Sequence, residues 1–162
     1  MVVVRPASKW YSASPKSLVF QIPVSFCVIL LVFEIAQSKF SPAFAAPPLD
    51  TGIDLKPGKF LTISVAPDQT WSAGAGQRTS NANGLSNPLG ANFGTFAHNG
   101  FSYLFGSLIG TVDGGKTFFP VGTQLEMTVL GPGRLALCYW DSINADNSGS
   151  VTANVALYDG PH

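Results

Sequence analysis

A two-residue alternation of apolar and polar side chains, broken at short intervals by glycine and proline, limits what this chain can fold into. In "KFLTISV" Leu61, Ile63 and Val65 alternate with Thr62 and Ser64; in "QLEMTVL" Leu125, Met127 and Val129 do the same. "SVTANVALY" sets Val151, Ala153, Val155 and Leu157 against Thr152 and Asn154, and "TGIDL" before Pro57 puts Ile53 and Leu55 on one side. Successive side chains of a strand point to opposite faces, so each run has one face to bury and one to wet. "KPGK", "DGGK", "PVGT" and "GPGR" punctuate the runs. Asp113-Gly114-Gly115 is the strongest hairpin signal, because glycine reaches positive φ without a Cβ clash. No long segment has helical periodicity. These patterns predict an all-β antiparallel sandwich of about seven to eight strands.

The N-terminal residues follow a different logic. Arg5, Lys9 and Lys16 precede the apolar run "SLVFQIPVSFCVILLVFEIAQ", which is followed by the small-x-small triplet Ala43-Phe44-Ala45. That order is expected of a secretory leader, residues 1–45, cleaved after Ala45. The alternative is an uncleaved membrane tether, since Ser17 to Gln37 matches the roughly 20 residues a spanning helix needs; Pro23, Glu34 and the cleavage triplet argue against it. Residues 46–162 then form one exported domain, periplasmic or extracellular. The whole chain balances nine Lys and Arg against nine Asp and Glu, but the leader removes Arg5, Lys9, Lys16 and Lys39 against the single acid Glu34. The remainder is mildly acidic, with no basic stripe to neutralise phosphates, so nucleic acid is excluded as an expected partner.

Cys27 lies in the leader, which leaves Cys138 alone in the domain and unable to close an internal disulfide. Its setting, "RLALCYW", is that of a buried small hydrophobe. Neither His98 nor His162 has the convergent spacing of a zinc site, and no residue pattern supports a nucleophile with its base. The expectation is a binding protein and not an enzyme. "PDQTWSAGAGQRTSNANGLSNPLGANFGTFAHNG" breaks the alternation and reads as a long loop, the first place to look for a binding surface.

One stretch carries chemistry of its own. In "DSINADNSGS", Asp141, Asn144, Asp146 and Asn147 offer carboxylate and amide oxygens within a few residues. Ca²⁺ takes six to eight hard oxygen ligands, backbone carbonyls included; zinc or copper would want the nitrogen or sulfur that is missing here. The stretch is no EF-hand, since it lacks the glycine at position six and the glutamate at position twelve. The same residues are also those any tight β-connection prefers, so a plain turn and a cation cradle are both open on local grounds.

"DTGIDLKPGKFLTISV", the tryptophan of "TWSAG", "GSLIGTVDGGKTFFPVG" and "GRLALCYWDSINADNSGSVTANV", in that order, resemble the PA-IL-like family of calcium-dependent galactose-binding bacterial lectins, from about Asp50 to Leu157. The resemblance implies a jelly-roll-like β-sandwich with one Ca²⁺ at its edge. It implies that Asp141 and the dyad Asp146 and Asn147 hold the ion, with carbonyls from Ile143 or Asn144 and from near Gly74, and that sugar hydroxyls complete its shell. The His-Pro-x-Gln segment that contacts galactose in the founding lectins has no counterpart here, which leaves His98 and Asn99 as the candidate ligand-binding residues. The dyad opens with an acid where the founding lectins have an amide. The expected function is an exported, calcium-dependent carbohydrate-binding module. The alternative is a Ca²⁺-stabilised structural or assembly domain of the same fold without a sugar site.

Overall fold

The alternating runs pair antiparallel into two facing sheets. The computed structural model describes residues 29–36, 48–74, 78–86, 90–143 and 145–159, the first of these by backbone alone. Their strands are β1 (Ile29–Ala36), β2 (Leu49–Leu55), β3 (Lys59–Val65), β4 (Trp71–Ala73), β5 (Arg78–Ser80), β6 (Thr95–His98), β7 (Phe101–Leu104), β8 (Leu108–Thr111), β9 (Phe118–Pro120), β10 (Gln124–Thr128), β11 (Gly133–Tyr139) and β12 (Ser148–Asp159). One sheet runs β10-β3-β12-β4-β5 with β1 also on β12, the other runs β2-β11-β8-β9, and β6-β7 form a separate hairpin. No helix occurs among the described residues. The all-β sandwich expected from the alternation is the fold observed; the strands beyond the expected seven or eight are mostly short ones.

The core lies where the pattern puts it. Leu61, Ile63 and Val65 from β3 and Val151, Ala153 and Val155 from β12 meet Ile53, Leu55, Leu108, Leu135 and Leu137 from the opposite sheet in one buried cluster. Leu125, Met127 and Leu157 are half-buried at its margin. β11 is buried on both faces: Leu135, Leu137 and Tyr139 point into the sandwich, while Cys138 and, beyond its end, Trp140 join Ile109 and Phe118 in a second cluster under the aromatic residues Phe96, Phe101 and Tyr103. The β6-β7 hairpin therefore roofs the outer face of this sheet. That double cover explains why "RLALCYW" is continuously apolar and does not alternate. It also buries Cys138, pushing its thiol pKa up to about 12 through desolvation.

The turn signals are correctly placed but only one closes a hairpin. "DGGK" joins β8 to β9, with Gly114 at φ 71° and Gly115 at φ 89°; the Asp113 carboxylate accepts the Lys116 and Thr117 backbone N–H groups at 3.0 and 2.9 Å, which holds its pKa below the usual value. "KPGK", "PVGT" and "GPGR" instead carry the chain from one sheet to the other.

The segment expected to be one long loop is the main departure. It contains β4, β5 and β6, and its Trp71, Ser80, Asn81 and Ala82 are buried. Strands of three or four residues are too short for alternation to stand out, and the asparagines are turn-formers: Asn81 Oδ1 accepts the Asn83 N–H at 2.9 Å and the Leu85 N–H at 3.3 Å.

Within the segment read as a leader, β1 pairs antiparallel with β12, from Ile29 opposite Leu157 to Ala36 opposite Ser150. The cleavage triplet lies outside the described residues. No helix of the described residues is long and apolar enough to cross a membrane.

Leu135 has no exposed surface, so Leu135→Ala is expected to lower unfolding free energy by roughly 2–5 kcal/mol in urea titrations. The Cys138 thiol in turn makes stability pH-dependent. Its folded pKa is raised from an ordinary 9.0 to about 12, so the unfolded chain ionises first as pH rises. Stability is therefore lost across that window, and the decline should be smaller in Cys138→Ala.

Candidate functional site

Strand register builds the site. β12 pairs with β4 through Ser148 opposite Ser72 and Gly149 opposite Trp71, and continuing that register outward sets Asp146 across from Gly74. The Asp146 Oδ2 lies 3.5 Å from where a Cβ on Gly74 would stand. Gly149 makes this pairing possible: it sits at φ 86°, and a Cβ there would meet the Trp71 Cα at 3.1 Å. The Ser-Gly-Ser that follows the dyad thus allows two backbones to approach closely.

Asp141 arrives from the other sheet, two residues past the end of β11. The strand end is pinned by Trp140, whose N–H donates to the Ser107 carbonyl at 3.0 Å and whose carbonyl accepts the Gly106 N–H at 2.9 Å. Asp141 is itself buried, and its Oδ1 accepts the Ser142 N–H at 2.6 Å. Asn147 is buried as well but does not line the pocket of Asp141 and Asp146. Asp141, Asp146 and Gly74 line one pocket of about 460 Å³, whose walls are completed by Ser142, Ile143, Phe105 and Arg78. Asn144 lies outside the described residues.

The pocket's field is legible in the tyrosine beneath it. Burial and then the negative charge of Asp141, with a smaller part from Asp146, push the Tyr139 hydroxyl pKa above its ordinary value. The Ser80 hydroxyl opposes the shift but makes no hydrogen bond of ordinary geometry with the phenol, so burial and the carboxylates decide the direction. Among the described residues no three His, Cys, Asp or Glu side chains converge. The oxygen-bearing side chains of the pocket are the two carboxylates and Ser142, hard donors of the kind that suit Ca²⁺ better than a transition metal.

The other two predicted residues lie elsewhere. His98 closes β6, half-buried, with its ring 6.3 Å from Phe96, 6.0 Å from Phe118 and 6.1 Å from Trp140. Asn99 and Gly100, at φ 50° and 82°, form the tight turn between His98 and Phe101, the geometry that selects Asn-Gly in hairpins. Neither lines the pocket of Asp141 and Asp146. Trp71 and Trp140 are structural. Trp71 Nε1–H donates to the Gly106 carbonyl and Trp140 Nε1–H to the Phe96 carbonyl, each at 2.7 Å, and both rings are buried. Sequence reasoning passed over Arg78 and Phe105. The only signal for Arg78 is that it is the one charged residue of "WSAGAGQRTSNANGLSN".

A solved structure described as "EclA N-terminal domain; PllA-like lectin" is similar to this chain. The match has a TM-score of 0.54 and 21% sequence identity, and covers 79% of this chain and 97% of that one. The fold is lectin-like. At that identity the likeness speaks for architecture alone. No protein-family profile matches the sequence, and no curated protein does either.

Asn99 is accounted for by the lectin-like sandwich's hairpin turn. Asn99→Ala, which must hold a Cβ residue at positive φ, should cost roughly 1 kcal/mol in a denaturation curve, whereas Asn99→Gly should be close to neutral. A stability loss as large in Asn99→Gly would show that the side chain does more than turn the chain.

Proposed function

We propose that this chain is an exported, calcium-dependent carbohydrate-binding module of the PA-IL-like kind, which binds without breaking bonds. The observation that carries the reading is convergence: Asp141 and Asp146, the two carboxylates of the loop from β11 to β12, meet the Gly74 end of β4, far back in the chain, in one open pocket. A plain β-connection would not need the third strand. Of the residues that the family resemblance implies for the ion, Asp141, Ile143, Asp146 and Gly74 line this pocket, and a lectin-like fold supports the reading.

When bound, calcium would supply a partly dehydrated charge on which vicinal sugar hydroxyls can displace water. The chain's residues have separate tasks. Asp141 is fixed by burial and by the Ser142 N–H, so one of its oxygens is committed to the loop and the other is available. Asp146 is exposed and reaches over Gly74, so it would hold the ion from the solvent side. Gly74, at φ 71°, keeps the backbone low under Asp146. Ile143, 61% exposed, and Phe105 present apolar surface at the rim where the C–H face of a sugar can rest.

Calorimetric titration of calcium chloride into the chain is the test. Saturable binding is expected, weakened about tenfold or more in both Asp141→Asn and Asp146→Asn. Calcium at 100 times its dissociation constant should raise apparent stability by about 2.7 kcal/mol, and a chelator should reverse the gain. Absence of calcium binding by a folded chain would overturn the reading. Calcium binding with silence across a broad glycan array would point instead to a Ca²⁺-stabilised structural module.

A further inference from the structure

Arg78 shares the pocket with Asp141 and Asp146, and this combination is not explained by calcium binding. β5 begins at Arg78, whose Cα is paired with Ala73 of β4, one residue before Gly74. The guanidinium is therefore carried on a strand, next to the wall that Asp146 covers. Among the described residues the ion pairs are Lys59 with Asp159 and Arg134 with Asp50 and Asp54. Arg78 makes none of them, although two carboxylates line the same pocket.

We infer that Arg78 makes this pocket selective for a carboxylate-bearing sugar, of the uronic-acid class, over its neutral counterpart. The inference rests on the calcium reading. A divalent cation held by Asp141 and Asp146 cancels their two charges, which leaves the guanidinium as the uncompensated charge of the pocket. A neutral sugar gives that charge nothing, whereas a sugar carboxylate accepts two parallel N–H donors from the planar fork while the ring hydroxyls face the cation. Arg78 is exposed, so the gain is that of a partly solvated pair and selects more than it tightens.

Calorimetry on the calcium-saturated chain, with methyl galactoside and galacturonate as probes, tests this. Ligand concentrations must be corrected for calcium bound free in solution by the galacturonate. Galacturonate should bind about fivefold more tightly than methyl galactoside. The preference should shrink at high salt and vanish in Arg78→Gln, whose circular dichroism should stay as in the parent and whose calcium affinity should not fall, since a positive charge has left the pocket; Arg78→Lys should keep only part of the preference. Equal affinity for the two probes, binding of neither, or an undiminished preference in Arg78→Gln overturns the role of Arg78 while calcium binding stands. Failure to bind calcium removes both readings together, and is seen separately in the calcium titration without sugar.

Discussion

The short pairing between β4 and the start of β12 holds more of this molecule in place than its length suggests. Two residue pairs, Ser148 with Ser72 and Gly149 with Trp71, join the segment 71–74 to the end of the longest strand. Trp71 then reaches 35 residues along the chain to the Gly106 carbonyl, and its ring meets Tyr139 edge-on with centroids 4.6 Å apart. A side chain at position 149 would press on the Trp71 Cα. The pocket, its acidic dyad and the buried tryptophan thus depend on one contact that only glycine permits.

Around that contact the sandwich divides its labour. The sheet β10-β3-β12-β4-β5 keeps one face in the core and the other toward solvent, with Ser64 and Asn154 exposed between buried neighbours. The sheet β2-β11-β8-β9 is covered on its second face by the β6-β7 hairpin, which places Phe96, His98 and Tyr103 against Phe118 and Trp140. Aromatic rings packed edge to face add to the area they bury, and Trp140 anchors both the roof, through the Phe96 carbonyl, and the strand end that carries Asp141. The edge that carries the pocket is thus fastened to the core on both sides.

This arrangement also explains the pocket's chemical character. Asp141 is buried and committed on one oxygen; Asp146 is exposed and free to meet an incoming group; Arg78 stands on the neighbouring strand without a partner among the described residues. The proposed cation and the proposed acidic sugar would answer those three features together. The galactose-contacting segment of the PA-IL-like lectins has no counterpart in this sequence, which fits the proposal of a different sugar.

Much of this was legible in the chain before any coordinates. Alternation in "KFLTISV", "QLEMTVL" and "SVTANVALY" specified strands and their inner faces, because a period of two leaves each side chain one choice of face. The oxygen-rich "DSINADNSGS" marked the loop that brings Asp141 and Asp146 to the pocket, since its turn-forming residues and acids can be read without coordinates. Tertiary structure alone decided the rest. Whether Asp146 meets Gly74, whether Arg78 faces Asp141, and whether His98 and Asn99 serve a ligand or a hairpin depend on register between strands far apart in sequence. The short strands β4 to β7 gave too few residues for periodicity to reveal them. Register is set by the packing of whole faces and by which backbones can approach, as at Gly149, and a sequence contains those distances only once the chain has folded.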